Sequence, residues 1–414
     1  MKNQILGYFG IFYTVRDLFK GKKKWKDLIA TGSLDITFLT LVITILAIGI
    51  VMMFSASYIN ALNVKGDPYF YLKNQLIFAV IGIVLMMVVS YINTSVFRDA
   101  SGLAMVISVL LLLAVLAFPH IIPGKEDFRR WLEIPIVGVT FQPSEIAKLA
   151  IVMFLAFSME RHRKFIEKRW WASVPFVVFL AAVAGLVYLE NHVSGTILIL
   201  AIGLATIYLG GIRIHWLVYA VGIVGVVAFV LWFILNADRF LEGYASERIS
   251  IWLKLLTNQE LTTEERRDSG WQSLQSLYAI GSGGLFGLGF GNSKQKHMYI
   301  PEPYNDFVFS VVCEELGFFR SLIIIILFVL LVIKGFDIGL KARTRYEAML
   351  AIGISVQVGL QAALNIAVVT STVPNTGISL PFFSSGGTSL VMLLVEMGMI
   401  LSISRNSERK KNNV

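Results

Sequence analysis

Charge is scarce in this 414-residue chain: 15% of residues are charged, 56% are hydrophobic, and the mean hydropathy is +0.72. That scarcity excludes the two or three soluble domains the length would otherwise suggest and points to one polytopic membrane domain. A single cysteine, Cys313, excludes an intramolecular disulfide framework, and its place in an apolar run gives it a structural reading. The five histidines are scattered, and no His/Cys cluster has zinc-ligand spacing. The glycines of the one glycine-dense stretch do not lie between a strand and a helix, so neither a dinucleotide nor a phosphate-loop fingerprint is present.

What the chain has in abundance is apolar runs long enough to span a bilayer, which takes roughly 20 residues. The pattern predicts an all-α polytopic fold with ten spans, near 36–56, 75–91, 102–119, 143–158, 173–189, 194–210, 216–235, 306–333, 348–370 and 386–403. Only Glu190, Asn191, His192 and Val193 separate the fifth and sixth runs, so these should form a tight helical hairpin. Residues 1–35 carry apolar positions spaced between polar ones and then Lys22, Lys23, Lys24 and Lys26, the composition of an interfacial helix with a polybasic anchor or of a disordered tail. Placing the Lys cluster, Arg98, Arg161, Arg163, Lys164, Arg213, Lys334, Lys341, Arg343 and the basic tail 405–414 in the cytoplasm follows the positive-inside rule and puts both termini there. The ten-span domain then covers 36–404, with a large extracytoplasmic loop at 236–305 between spans seven and eight. That loop is rich in cations, Arg248, Lys294 and Lys296 among them, which suggests an anionic ligand; its 255–269 portion reads as a mobile insert.

Residues 270–317 interrupt the apolar pattern with a polar, charge-bearing segment. Six glycines lie between Gly281 and Gly291, followed by Lys294, Lys296, Glu302 and Asp306 and then by Glu314 and Glu315 inside an apolar run. Cations, a glycine cradle that lets a bulky partner approach, and carboxylates converge on one membrane boundary. The fourth run carries Glu145 and Lys148 at i and i+3 on one helical face, either as an internal ion pair or as a ligand-orienting pair lining a cavity. Arg129, Arg130 and Trp131 sit just before it, a cationic rim with an interfacial aromatic that suits a diphosphate head group. Asp306 opens an apolar run, where an acid is either a helix cap or a base at the water-facing end of a span.

The stretch resembles the signature of the SEDS family, the FtsW, RodA and SpoVE proteins of bacterial cell-wall synthesis. The matching residues are Gln272, Gln275, Ser276, Gln295, Lys296, Pro301, Glu302, Asp306, Phe307, Glu314, Glu315, Leu316 and Gly317. Arg130–Trp131, Gln142–Glu145 with Lys148, and Asn365, Pro374, Gly377, Leu380, Pro381, Ser384, Gly386 and Gly387 extend the resemblance along the chain, and the 384–387 and 368–370 segments lean toward the FtsW and SpoVE side. The resemblance implies an inverting peptidoglycan glycosyltransferase that polymerises lipid II and releases undecaprenyl diphosphate. Asp306 would be the general base. Arg130, Trp131, Glu145, Lys148, Arg248, Gln275, Ser276, Lys294, Lys296 and Glu302 would form the substrate site, with or without a divalent cation such as Mg2+ or Mn2+ held by carboxylates and phosphates, and with no organic cofactor. The implied partners are lipid II and undecaprenyl diphosphate lipids, a single-span class B penicillin-binding protein and other divisome or elongasome membrane proteins, with no nucleic acid, in the plasma membrane. A lipid II flippase is the alternative, and it would need polar residues on both sides of the midplane.

This chain departs from the family pattern at several places. His192–Thr196 stand where relatives carry Pro-Asp-x-Gly-Thr, and Arg320 and Glu396 stand where small or apolar residues are usual. Two opposite charges, each deep along its own span, are expected to pair with one another, joining spans eight and ten; otherwise Arg320 would pair with Glu314 or Glu315, and Glu396 would face Glu145 and Lys148.

Overall fold

The computed structural model describes residues 28–120, 130–134, 139–166, 170–222, 225, 251–254, 257 and 269–408. Its helices are α1 (Ile36–Lys65), α2 (Phe70–Ser90), α3 (Thr94–Ala117), α4 (Pro143–Arg161), α5 (Val174–Leu189), α6 (Val193–Leu209), α7 (Ser269–Gly283), α8 (Val308–Leu340), α9 (Arg345–Val369) and α10 (Gly387–Glu408). Among the described residues six helices, α1, α2, α3, α8, α9 and α10, are long and apolar enough to cross a membrane, and α5 and α6 are shorter apolar helices. The protein is a mostly helical, multi-pass membrane protein. Most of the seventh expected run, the N-terminal segment before residue 28 and Arg248 lie outside the described residues.

Two features depart from the sequence expectation. A small antiparallel hairpin, β1 (Leu132–Ile134) with β2 (Val139–Phe141), precedes α4, so the chain is not wholly helical. The 236–305 loop also contains α7, whose Gln, Ser and Gly content hid it from a reading tuned to apolar spans.

Local chemistry sets the helix ends. Asp35 caps α1 by accepting from the Phe38 amide at 3.0 Å, and Asn93 caps α3 through the Ser95 amide. Thr344 and Glu347 form a reciprocal capping box at the start of α9. Pro143 opens α4, where its missing N–H is harmless. The turn at Glu190–His192 joins α5 to α6, giving the expected hairpin.

Packing is densest between α2 and α10, and α8 lies between α1 and α9. Helix α4 is buried among α3, α6 and α9, and Ala147, Ile151, Leu155, Ala156 and Met159 have no exposed surface. It is therefore shielded from lipid, which lets it carry Glu145 and Lys148. One end of the bundle holds the Lys334–Asp35 ion pair, 2.9 Å, and the opposite end holds α7, the glycine-rich loop and residues 301–307.

Candidate functional site

The centre of the site is the turn that leads into α8. The helix begins at Val308, and its cap, Phe307, makes no side-chain cap bond, so Asp306 is not the helix cap. Asp306 is half-buried, and its backbone is held from several sides. The Asn365 amide on α9 donates to the Asp306 carbonyl at 2.7 Å and to the Ile378 carbonyl at 2.6 Å. Ser384 Oγ donates to the Asn305 carbonyl at 2.8 Å, and the Ser385 amide donates to that of Tyr304. Tyr304 also shares a 2.8 Å hydroxyl bond with Tyr71, and burial raises its ionisation range.

The 375–385 segment faces Asp306 on one side. Gly377 has φ +69°, and a Cβ there would stand 3.2 Å from Asp306 Oδ2, so glycine serves both the left-handed backbone and the close approach. Asn375 Oδ1 accepts from the Gly377 amide, and its Nδ2 donates to Gln272 on α7. Glu302, with φ +47°, accepts from Asn305 Nδ2 at 2.9 Å.

The same segment borders a small polar cavity lined by Glu145, Lys148, Gln357, Gln361, Ser379, Ser384 and Glu396. Lys148 Nζ lies 2.8 Å from Glu145 Oε2 and donates to Gln361 Oε1 at 3.1 Å. Gln361 in turn donates to Ser379. The Glu145–Lys148 pair is thus both an internal ion pair and part of a cavity wall.

Beyond α4, Gln142 Nε2 donates to His192 Nδ1 at 3.1 Å, with Ser144 Oγ at 3.4 Å. Burial and the charges of Arg130 and Lys148 hold His192 well below its usual range and therefore neutral. Glu190 has no exposed surface, and burial pushes its carboxyl up to about 8 against the opposing influence of Arg130. Arg130 and Trp131 are half-buried beside this turn.

The glycine-rich loop is docked on a break in α8. Gly317 leaves the helical conformation (φ 77°, ψ −179°), and the freed carbonyls of Glu314 and Glu315 accept from the Leu288 and Gly289 amides at 3.0 Å each. A Cβ at Gly287 or Gly317 would collide with the facing backbone. The Glu314 carboxylate accepts from Ser293 Oγ and from the Lys294 and Gln295 amides. Glu315 accepts from Ser55 and pairs with Lys296 Nζ at 2.8 Å, with both side chains buried.

The structure thus engages Lys296 in an internal ion pair and Ser276 in buried bonds to Ser310 and the Val369 carbonyl. Gln275 is buried on α7, whereas Lys294 is exposed. Arg320 and Glu396 do not pair. Arg320 is exposed and donates to the Phe286 carbonyl at 3.1 Å, while Glu396 is 2% exposed and accepts from Gln357 on both oxygens at 2.9 Å. Glu396 instead faces the cavity of Glu145 and Lys148, as the alternative reading of that residue had it. Among the described residues no group of three or more His, Cys, Asp or Glu is clustered as a metal site.

Residues 35–409 match the family model for the cell cycle proteins FtsW, RodA and SpoVE. The chain is 34% identical to a probable peptidoglycan glycosyltransferase FtsW of Trichlorobacter lovleyi, over 89% of this chain and 93% of that protein. It is 35% identical to the stage V sporulation protein E of Bacillus subtilis, over 90% and 97%. Its fold is similar to a chain of a peptidoglycan synthase complex that coordinates polymerization and crosslinking, with TM-score 0.71, 25% identity and coverage of 91% and 98%. The rod shape determining protein RodA of Thermus thermophilus shares the fold at TM-score 0.62 and 24% identity, with coverage of 90% and 97%.

Proposed function

The chain belongs to the FtsW/RodA/SpoVE family of cell cycle proteins, and we propose from that premise that it polymerises lipid II as a peptidoglycan glycosyltransferase of the bacterial plasma membrane. The 4-hydroxyl of one disaccharide attacks the anomeric carbon of another. Its proton passes to a carboxylate, the bond from the anomeric carbon to the diphosphate oxygen breaks, and undecaprenyl diphosphate leaves with inversion.

The observation that carries this reading is the clamped turn of Asp306. The half-buried Asp306 has its backbone fixed between α9 and the 375–385 segment, on the loop end of the bundle and one segment away from the polar cavity. A base must be held within hydrogen-bond reach of the attacking hydroxyl, and a backbone pinned at Asn305 and Asp306 supplies that rigidity. Arg130 and exposed Lys294 are the cations we assign to the departing diphosphate, together with Arg248 outside the described residues. Carboxylate oxygens such as those of Glu302 suit Mg2+ or Mn2+ in combination with substrate phosphates, and a bound cation would supply charge neutralisation there.

The orientation that fits this chemistry has the Lys334–Asp35 end in the cytoplasm and the Asp306 end outside, with ten spans and both termini cytoplasmic. A single-span class B penicillin-binding protein is the expected partner, in line with the peptidoglycan synthase complex that the fold resembles. The test is polymerisation of purified lipid II by the purified chain, with and without that transpeptidase. Glycan strands sensitive to Asp306 substitution support the reading, whereas lipid II crossing vesicle bilayers without polymerising would favour a flippase.

A further inference from the structure

Arg320 has no counterpart in the chemistry above. It is exposed on α8 among Phe318, Phe319 and Ile323, which are 56%, 48% and 55% exposed, and beside Leu285 and Phe286 of the docked loop, which are 57% and 71% exposed. The rings of Phe286 and Phe319 lie 5.7 Å apart. The guanidinium donates one bond, to the Phe286 carbonyl, and among the described residues no carboxylate pairs with it.

Depth decides what such a cation meets. Lys334 fixes the other end of α8 against Asp35. The 14 residues from Arg320 to Lys334 span about 21 Å of helix, in a hydrocarbon layer about 30 Å thick. With the orientation proposed above, Arg320 stands in the outer part of that layer. Its bond to the outer loop directs the side chain upward, so the guanidinium reaches the outer head-group level while its stem stays among apolar side chains. Asp306 precedes α8 and lies on the far side of the break at Gly317, which separates this position from the reaction centre.

A cation at head-group depth, skirted by exposed aromatic and aliphatic side chains that continue toward the midplane, matches one occupant in both charge and shape. We propose that Arg320, with Phe286, Phe318, Phe319 and Ile323, binds an anionic phospholipid of the outer leaflet, its phosphate on the guanidinium and its acyl chains along α8. The assignment rests on the proposed orientation and not on the polymerase chemistry, so its test does not read glycan synthesis.

The full chain, purified in detergent, is titrated with short-chain phosphatidylglycerol or phosphatidylcholine, and its thermal unfolding is followed. The wild type is expected to take phosphatidylglycerol roughly fivefold more tightly than phosphatidylcholine, the worth of one interfacial cation. Arg320→Leu and Arg320→Gln should remove that margin, and Arg320→Lys should keep most of it. Lipid bound by the basic N-terminal segment is common to all four proteins and cancels in the comparison. Absence of a preference in the wild type overturns the proposal, as does a preference that Arg320→Leu and Arg320→Gln leave undiminished. A preference that survives while co-purification with the transpeptidase is lost would also overturn it and make the face a protein interface.

Discussion

Lys296 and Glu315 hold one another at 2.8 Å in a pocket closed to solvent, and Ser55 of α1 completes the contact on both partners. A lysine that the sequence motif offers to a diphosphate is thereby tied to the helix that supports the loop. Removing one partner leaves the other charged and buried, which typically costs about 3–5 kcal/mol. Lys296→Met and Glu315→Gln should each lower the melting temperature sharply, and Lys296→Met with Glu315→Leu should recover much of the loss. Thermal unfolding of the three proteins checks this. A Lys296→Met protein of unchanged stability that has lost only substrate affinity would contradict it.

Asp306→Asn and Asp306→Ala remove the proposed base without touching the backbone bonds that hold the turn. Polymerisation should fall about 10²- to 10⁴-fold while the melting temperature and partner binding stay near wild type. Rates on lipid II, set beside an unfolding curve, decide it.

Gly377→Ala places a methyl against the Asp306 carboxylate in a backbone conformation with φ +69°. The strain is of the order of 1 kcal/mol, yet the displacement falls on the proposed base. Activity should therefore drop by at least tenfold with only a small loss of stability. A matched loss in Gly377→Ala and in a remote glycine variant such as Gly185→Ala, which has open space around it, would remove the link to Asp306.

Glu190 gives a pH signature. Its folded carboxyl titrates near 8 against 4.5 for the free group, because burial disfavours its charge. Between those values the folded state holds a proton that the unfolded state has released. Stability from this group is therefore full below about pH 4.5 and is lost as pH rises through about 8. Melting temperatures across that window should fall less steeply in Glu190→Gln than in wild type, and parallel slopes would exclude the assignment.

Arg320→Leu and Glu396→Leu should act independently, since the two side chains do not meet. The double variant should equal the sum of the singles within about 0.5 kcal/mol. A larger coupling in the cycle would mean that the helices bring them together.

Which of these relationships the sequence disclosed depends on what kind of signal each leaves. The spans α1, α2, α3, α8, α9 and α10 were legible because continuous apolar runs are a strong signal for a bilayer-crossing helix. The Asp306 motif was legible as a motif, but its clamp was not, because Asn365 and Ser384 reach it from 59 and 79 residues away. Depth along a helix can be counted from sequence, whereas the direction a residue faces cannot. Arg320 and Glu396 were expected to pair on depth alone, but one faces outward and the other faces the cavity. Glu190 left one signal, an acid closing an apolar run, and its meaning needed the burial around it.

The break at Gly317 also bears on how the protein is made. The carbonyls of Glu314 and Glu315 accept from the Leu288 and Gly289 amides, and the Phe318 amide donates to the Gly284 carbonyl. Synthesis runs from the N-terminus, so the glycine-rich segment leaves the ribosome before the helix on which it docks. Until α8 is inserted, that segment has no template and must wait in water or at the membrane surface. The docked glycine-rich loop is therefore a late product of biogenesis, seated when α8 enters the bilayer and its interrupted turn receives the loop.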